Sequence, residues 1–120
     1  MRTVASVLRA FDWHFTLTGQ NEAVIVLDRA LPVFDGHFPD RPVLPGVCLV
    51  DLADRAAQVL GLVTGTPLVV ERARFTGAAL PGDRLRLHFT RDRNSLLVEI
   101  TADDGDRCRL RLGYGASAWT

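Results

Sequence analysis

One stretch of the 120-residue sequence concentrates groups able to do chemistry: Gly36-His-Phe-Pro-Asp-Arg-Pro-Val-Leu-Pro-Gly-Val-Cys-Leu-Val-Asp51. His37 supplies an imidazole, the side chain suited to act as a base near neutral pH. Fourteen residues later Asp51 supplies a carboxyl among Val50, Leu52 and Ala53. A buried carboxyl is costly unless paired or protonated, and the protonated form is the one a general acid needs. Gly46 and Val47 open the segment that carries Asp51, and the N–H groups of a helix start can meet a developing oxyanion. Phe38 and Pro45 flank these groups and are the adjoining substrate-binding candidates. A base, an acid and an oxyanion site together are what elimination of water from a 3-hydroxyacyl thioester requires. The base takes the C2 proton, the N–H groups hold the enolate-like oxygen, and the acid helps the 3-hydroxyl leave.

These groups need a loop, a helix and something to enclose the helix. Prolines at 39, 42 and 45 each remove a backbone donor and fix φ, so residues 35–45 are expected to form an ordered, extended loop. After Pro45-Gly46 the run VCLVDLADRAAQVLG reads as a helix, with Gly61 as its stop. Apolar residues cover most of that helix's circumference, which predicts burial nearly all round. Residues 23–28, 67–76, 83–91, 94–102 and 106–116 read as strands. In the last, Cys108, Leu110 and Leu112 alternate with Arg107, Arg109 and Arg111, predicting one apolar face. Pro81-Gly82-Asp83 and Asp103-Asp104-Gly105 read as turns between neighbouring strands. The expected architecture is α+β, a curved antiparallel sheet wrapped around a long central helix, in a single domain over 1–120.

The segment GHFPDRPVLPGVCLVD closely resembles the signature of the FabZ/FabA-type 3-hydroxyacyl-acyl-carrier-protein dehydratases, which have the hotdog fold. His37 matches that family's catalytic His, Pro39, Pro42, Pro45 and Gly46 its loop and helix start, and Asp51 its acidic partner. The later run ERARFTGAALPGDRLRLHF is similar to the family's strand–turn–strand, so the likeness covers roughly residues 20–116. The resemblance implies a dimer whose sites take His from one subunit and the acid from the other. It also implies a substrate carried on the phosphopantetheine arm of an acyl carrier protein, without a metal or redox cofactor. Three positions depart from the pattern. The acid is Asp51 where short members usually have Glu, Asp40 replaces a common Gly, and Arg55 stands where many relatives carry Gln. Residues four apart share a helix face, and an Arg beside a carboxylate favours its charged form, which opposes proton donation. Either Arg55 turns to another partner, or the chain is a weakly or non-catalytic subunit that completes a heterodimer with a second hotdog dehydratase. A hotdog thioesterase fits less well, because the HFPxxPxxPG loop looks like a dehydratase element.

The remaining residues bound the alternatives. Formal net charge is zero, which excludes a chain built as a whole to hold nucleic acid or an anionic membrane. All fourteen basic residues are Arg, a pattern read first as coding bias. Cys48 and Cys108 have no metal-type spacing and read as free thiols in a reducing cytoplasm, Cys48 as a small buried helix residue. No run is long enough to span a membrane, and the first thirty residues lack a signal peptide's pattern. His14 and His88 read as surface or interface residues, and Asp54 with Arg55 as a small polar patch on the helix or a subunit contact. Arg41, Arg72, Arg74 and Arg84 could attract an acidic carrier or its phosphate, although Arg on a strand is more often solvated. The first twenty residues carry no functional signal.

Overall fold

The computed structural model describes residues 13–36, 42–65, 67 and 69–119. Strands β1 (Thr16–Gly19) and β2 (Glu22–Val26) come first, then the single-turn helix α1 (Val33–Gly36) and the long helix α2 (Gly46–Val59). They are followed by β3 (Val69–Phe75), β4 (Arg84–Asp92), β5 (Ser95–Ala102), β6 (Gly105–Gly113) and a 3-10 turn at Ala116–Ala118. All six strands join one antiparallel sheet in the order β1-β2-β4-β5-β6-β3. This is the hotdog fold.

Alternation sets the face of the sheet that meets α2. Leu85, Leu87 and Phe89 on β4, Leu96, Val98 and Ile100 on β5, and Cys108, Leu110 and Leu112 on β6 are all buried. Opposite them lie Leu49, Leu52, Ala53, Ala56 and Ala57 of α2, in the same core. Three alanines let the helix approach the sheet, and full burial of a residue such as Leu52 contributes about 2 kcal/mol. Gly61, at φ 76°, ends the helix as expected. Its N–H reaches the Gln58 carbonyl at 3.0 Å and the Leu62 N–H reaches Ala57 at 2.9 Å, the paired bonds of a Schellman stop.

Four expectations need correction. Residues 35 and 36 are not extended but belong to α1, which forms before the first proline constraint acts at Pro39. The turn at Pro81-Gly82-Asp83 does not join neighbouring strands. Thr76 and Gly77 donate to the Arg107 carbonyl beside β6, while Leu27 donates to Asp83 O and Gly82 to Leu27 O beside β2. The connection therefore crosses the sheet, leaving β3 against β6 and placing β4 between β2 and β5. Arg107 is buried rather than outward, because the β5–β6 register shifts between Ile100 and Thr101. There it pairs with Asp83 at 3.3 Å and with Asp104, tying two turns together. Finally, α2 is not enclosed all round: Val47 and Val59 are each 56% exposed, and Arg55 is half-buried. One helix and one sheet can cover only one side of a cylinder.

Candidate active site at the start of the central helix

Pro45 caps α2 with φ −59° and ψ 148°, and its carbonyl accepts the N–H groups of Cys48 at 2.9 Å and Leu49 at 3.3 Å. Pro45 offers no capping side chain and among the described residues none caps this end, which leaves the N–H groups of Gly46 and Val47 at the positive end of the helix dipole. Leu44 donates to the Ala79 carbonyl at 2.8 Å, which fixes the direction from which the chain enters the helix. Gly46 is needed here for space: a Cβ would come within 2.7 Å of Cζ of Phe75, at the end of β3. The Phe75 ring, 50% exposed, therefore lies over the first residue of the helix.

Asp51 lies on the open side of the same helix, on the face of Val47 and Arg55 at four-residue spacing. Its side chain is only 8% exposed, yet it is held by donors. Arg55 Nε donates to Oδ1 at 3.0 Å and to Oδ2 at 2.8 Å. Trp13 Nε1 donates to Oδ2 at 2.8 Å. Arg55 thus turns towards Asp51, not away. Trp13 lies in the segment that carries no functional signal in the sequence; only its being a large aromatic just before a strand could have marked it as a core residue. His37 and Phe38 lie outside the described residues, as do Pro39, Asp40 and Arg41.

One turn on, Asp54 is not part of a surface patch. It is buried, accepting from the Tyr114 hydroxyl at 2.7 Å and from Gln58 Nε2 at 2.9 Å, while Gln58 also donates to the Gly65 carbonyl at 2.8 Å. Burial pushes the Asp54 carboxyl above its ordinary pKa and the Asp51 charge adds to this, against the opposing hydrogen bonds and Arg55. Burial likewise raises the Tyr114 hydroxyl, with the Asp54 carboxylate acting in the same direction. Apolar runs hide such a group, because a lone Asp on a helix reads as solvated. Cys48 is buried, and desolvation followed by the charge of Asp51 pushes its thiol up, which fits a packed residue rather than a nucleophile. Cys108 is buried too and is raised to about 11 by desolvation. His14 and His88 are exposed, as read from the sequence.

A model of the ApeI-like family, described as ApeI dehydratase, matches residues 14–109. The chain belongs to this family. It is 43% identical over 72 residues to the 3-hydroxyacyl-[acyl-carrier-protein] dehydratase FabZ of Rhodospirillum rubrum, covering 52% of this chain and 45% of the relative. A FabZ of Rhodopseudomonas palustris (strain TIE-1) is 39% identical over 69 residues, covering 50% and 46%. The ApeI-like chain thus matches about half the length of these curated relatives. Among solved structures it is similar to the dehydratase heterocomplex ApeI:P from Xenorhabdus doucetiae, with TM-score 0.69 and 28% identity over 86% of this chain and 96% of that one. A hypothetical thioesterase with coenzyme A from Streptococcus pneumoniae TIGR4 shares the fold at 16% identity, TM-score 0.60, over 94% and 93% of the two chains.

Proposed function

We propose that this chain takes part in dehydrating a 3-hydroxyacyl-acyl carrier protein to the trans-2-enoyl thioester, in fatty-acid or polyketide-type biosynthesis. In this reading His37 removes the C2 proton and the N–H groups of Gly46 and Val47 hold the thioester oxygen. Asp51 protonates the departing 3-hydroxyl, so that one water leaves as the C2–C3 double bond forms. Phe38 and Pro45 border the acyl group, and the substrate arrives on a phosphopantetheine arm, with no metal or redox cofactor taking part. The observation that carries the reading is the start of α2, capped by no side chain among the described residues, with Asp51 on the same helix, in a chain whose FabZ relatives are named for this reaction. Two buried, unbridged thiols fit a reducing cytoplasm as its setting.

The open side of α2 and the edge of β3, which no described residue pairs, support a dimer as the working unit, since both leave apolar surface uncovered. A second reading rests on Arg55. With both oxygens of Asp51 taken by Arg55, the chain serves as a weakly catalytic or non-catalytic subunit that completes the site of a second hotdog dehydratase. Assembly of two different subunits is the arrangement named for the ApeI:P structure.

The test is mass spectrometry of a 3-hydroxyacyl-carrier protein incubated with the purified chain, beside His37→Ala and Asp51→Asn. Loss of one water with wild type, abolished by both substitutions, supports the stand-alone dehydratase. Water loss only after a second hotdog subunit is added favours the second reading. No water loss under either condition rejects both.

A further inference from the structure

β3 is the last strand of the sheet, and among the described residues none pairs with its far edge. Arg72 and Arg74 lie opposite Arg111 and Arg109 of β6. Together with Leu97 and Glu99 of β5 these four guanidinium-bearing residues line a shallow groove of about 670 Å³ on the outer face of the sheet. Like charges directly opposite on paired strands repel. Arg109 and Arg111 have carboxylate neighbours, Asp106 at 3.6 Å and Asp92 at 3.0 Å. Among the described residues no carboxylate pairs with Arg72 or Arg74, and both are exposed. Glu71, the acidic residue of β3, is already committed: it accepts from the Ser95 hydroxyl and lies 3.6 Å from Arg111 Nε.

We propose that the β3 edge is charged to reject a second copy of this chain and to accept a different hotdog subunit whose edge strand presents carboxylates on its outer face. The proposal rests on the second reading above, in which the working unit pairs this chain with a different hotdog subunit, and it names the partner's chemistry. Two copies joined edge to edge would pair their β3 strands about a two-fold axis, antiparallel. An axis at Arg72, Ala73 or Arg74 sets arginine opposite arginine, and an axis at Glu71 sets glutamate opposite glutamate. Every central register of self-pairing is therefore repulsive, while the exposed Val69, Val70 and Phe75 still offer apolar area to a partner. Specificity of this kind comes from the penalty on the wrong partner as much as from attraction to the right one. A free strand edge favours a strand as occupant over a carrier-protein helix, because a strand also satisfies the backbone groups.

A charge-swapped copy of the full chain, Arg72→Glu with Arg74→Glu, stands in for the acidic partner strand. Native mass spectrometry separates it from wild type by mass. At about 0.05 M salt the mixed dimer is expected to form with a dissociation constant at least tenfold below that of either chain alone, the gap closing at about 0.5 M salt. Arg72→Gln with Arg74→Gln, which only removes repulsion, is expected to tighten self-association. Wild type that self-associates as tightly as the mixture overturns the proposal. So does a Gln variant with unchanged self-association, and if that variant instead loses affinity for carrier protein the face is a carrier dock. Water loss from the acyl carrier is read separately, so failure of the charge rule and failure of the dehydratase reading give different results.

Discussion

Trp13 donates its indole N–H to Oδ2 of Asp51 at 2.8 Å, joining the segment before β1 to the central helix across 38 residues of sequence. Trp13 is buried, so this bond also anchors the N-terminal strand pair to the core. Trp13→Phe keeps an aromatic ring but removes the donor. A hydrogen bond to a charged acceptor contributes about 1.5–3 kcal/mol, and urea denaturation is expected to show a loss of that order. Unchanged stability would mean that the indole N–H is replaced by water without cost.

Arg55 uses a single nitrogen, Nε, to engage both oxygens of Asp51. That nitrogen carries one hydrogen, shared between the two oxygens, and with the Trp13 indole N–H it takes up part of the accepting capacity that a substrate hydroxyl would use. Arg55→Gln is expected to raise the rate of water loss about tenfold or more if the chain is catalytic alone, within the range general acid catalysis supplies. Because the Asp51 side chain is only 8% exposed, removing Arg55 leaves a buried carboxyl with one donor fewer, and a stability loss of about 1–3 kcal/mol is expected. Single-turnover kinetics on one acyl-carrier substrate reads the first effect and thermal unfolding the second. A slower variant would make Arg55 part of the working site.

Strands β4 to β6 and helix α2 were legible because their physics is local. Alternation fixes which face of a strand is buried, and Gly61 with Gly46 brackets the helix. The order of the strands was not legible, since nothing local in Thr76–Asp83 says that the chain crosses the sheet instead of turning back. Asp51 was legible as a candidate from its apolar neighbours. Its donors Trp13 and Arg55 differ: Arg55 follows from four-residue spacing, whereas Trp13 arrives from distant sequence. Arg107 and Asp54 share one cause of misreading. Each is a charged residue whose partner, Asp83 or Tyr114, lies far along the chain, and without that partner exposure is the sound expectation.

Asp54 predicts a pH signature. Its folded pKa is raised by burial above that of an unfolded aspartate, about 3.9. The folded state therefore binds the proton more tightly than the unfolded state. The resulting stability is fully present below the unfolded pKa and is lost as pH rises through the folded value. Asp54→Asn mimics the neutral side chain and does not titrate. The stability of wild type relative to this variant is expected to fall as pH rises above about 4, with a limiting slope of about 1.4 kcal/mol per pH unit until the folded pKa is passed. Contact with Gln58 adds a pH-independent offset, so the slope is the readout. A flat difference between about pH 4 and 8 would show that Tyr114 and Gln58 fully offset burial.

The start of α2 predicts coupling between two residues far apart in sequence. A Cβ at Gly46 meets the outer atoms of the Phe75 ring, Cζ at 2.7 Å and Cε1 at 3.1 Å, not backbone. The ring is half exposed and can swing outward, so Gly46→Ala is expected to cost only about 1 kcal/mol. In a Phe75→Ala background the clash has no partner, and the same substitution becomes neutral or mildly stabilising through the helix propensity of alanine. A double-mutant cycle by urea denaturation reads the coupling, expected at about 1 kcal/mol. If Gly46→Ala costs the same in both backgrounds, the ring does not press on the helix start, and the glycine is there for another reason, such as access of a thioester oxygen to the N–H groups.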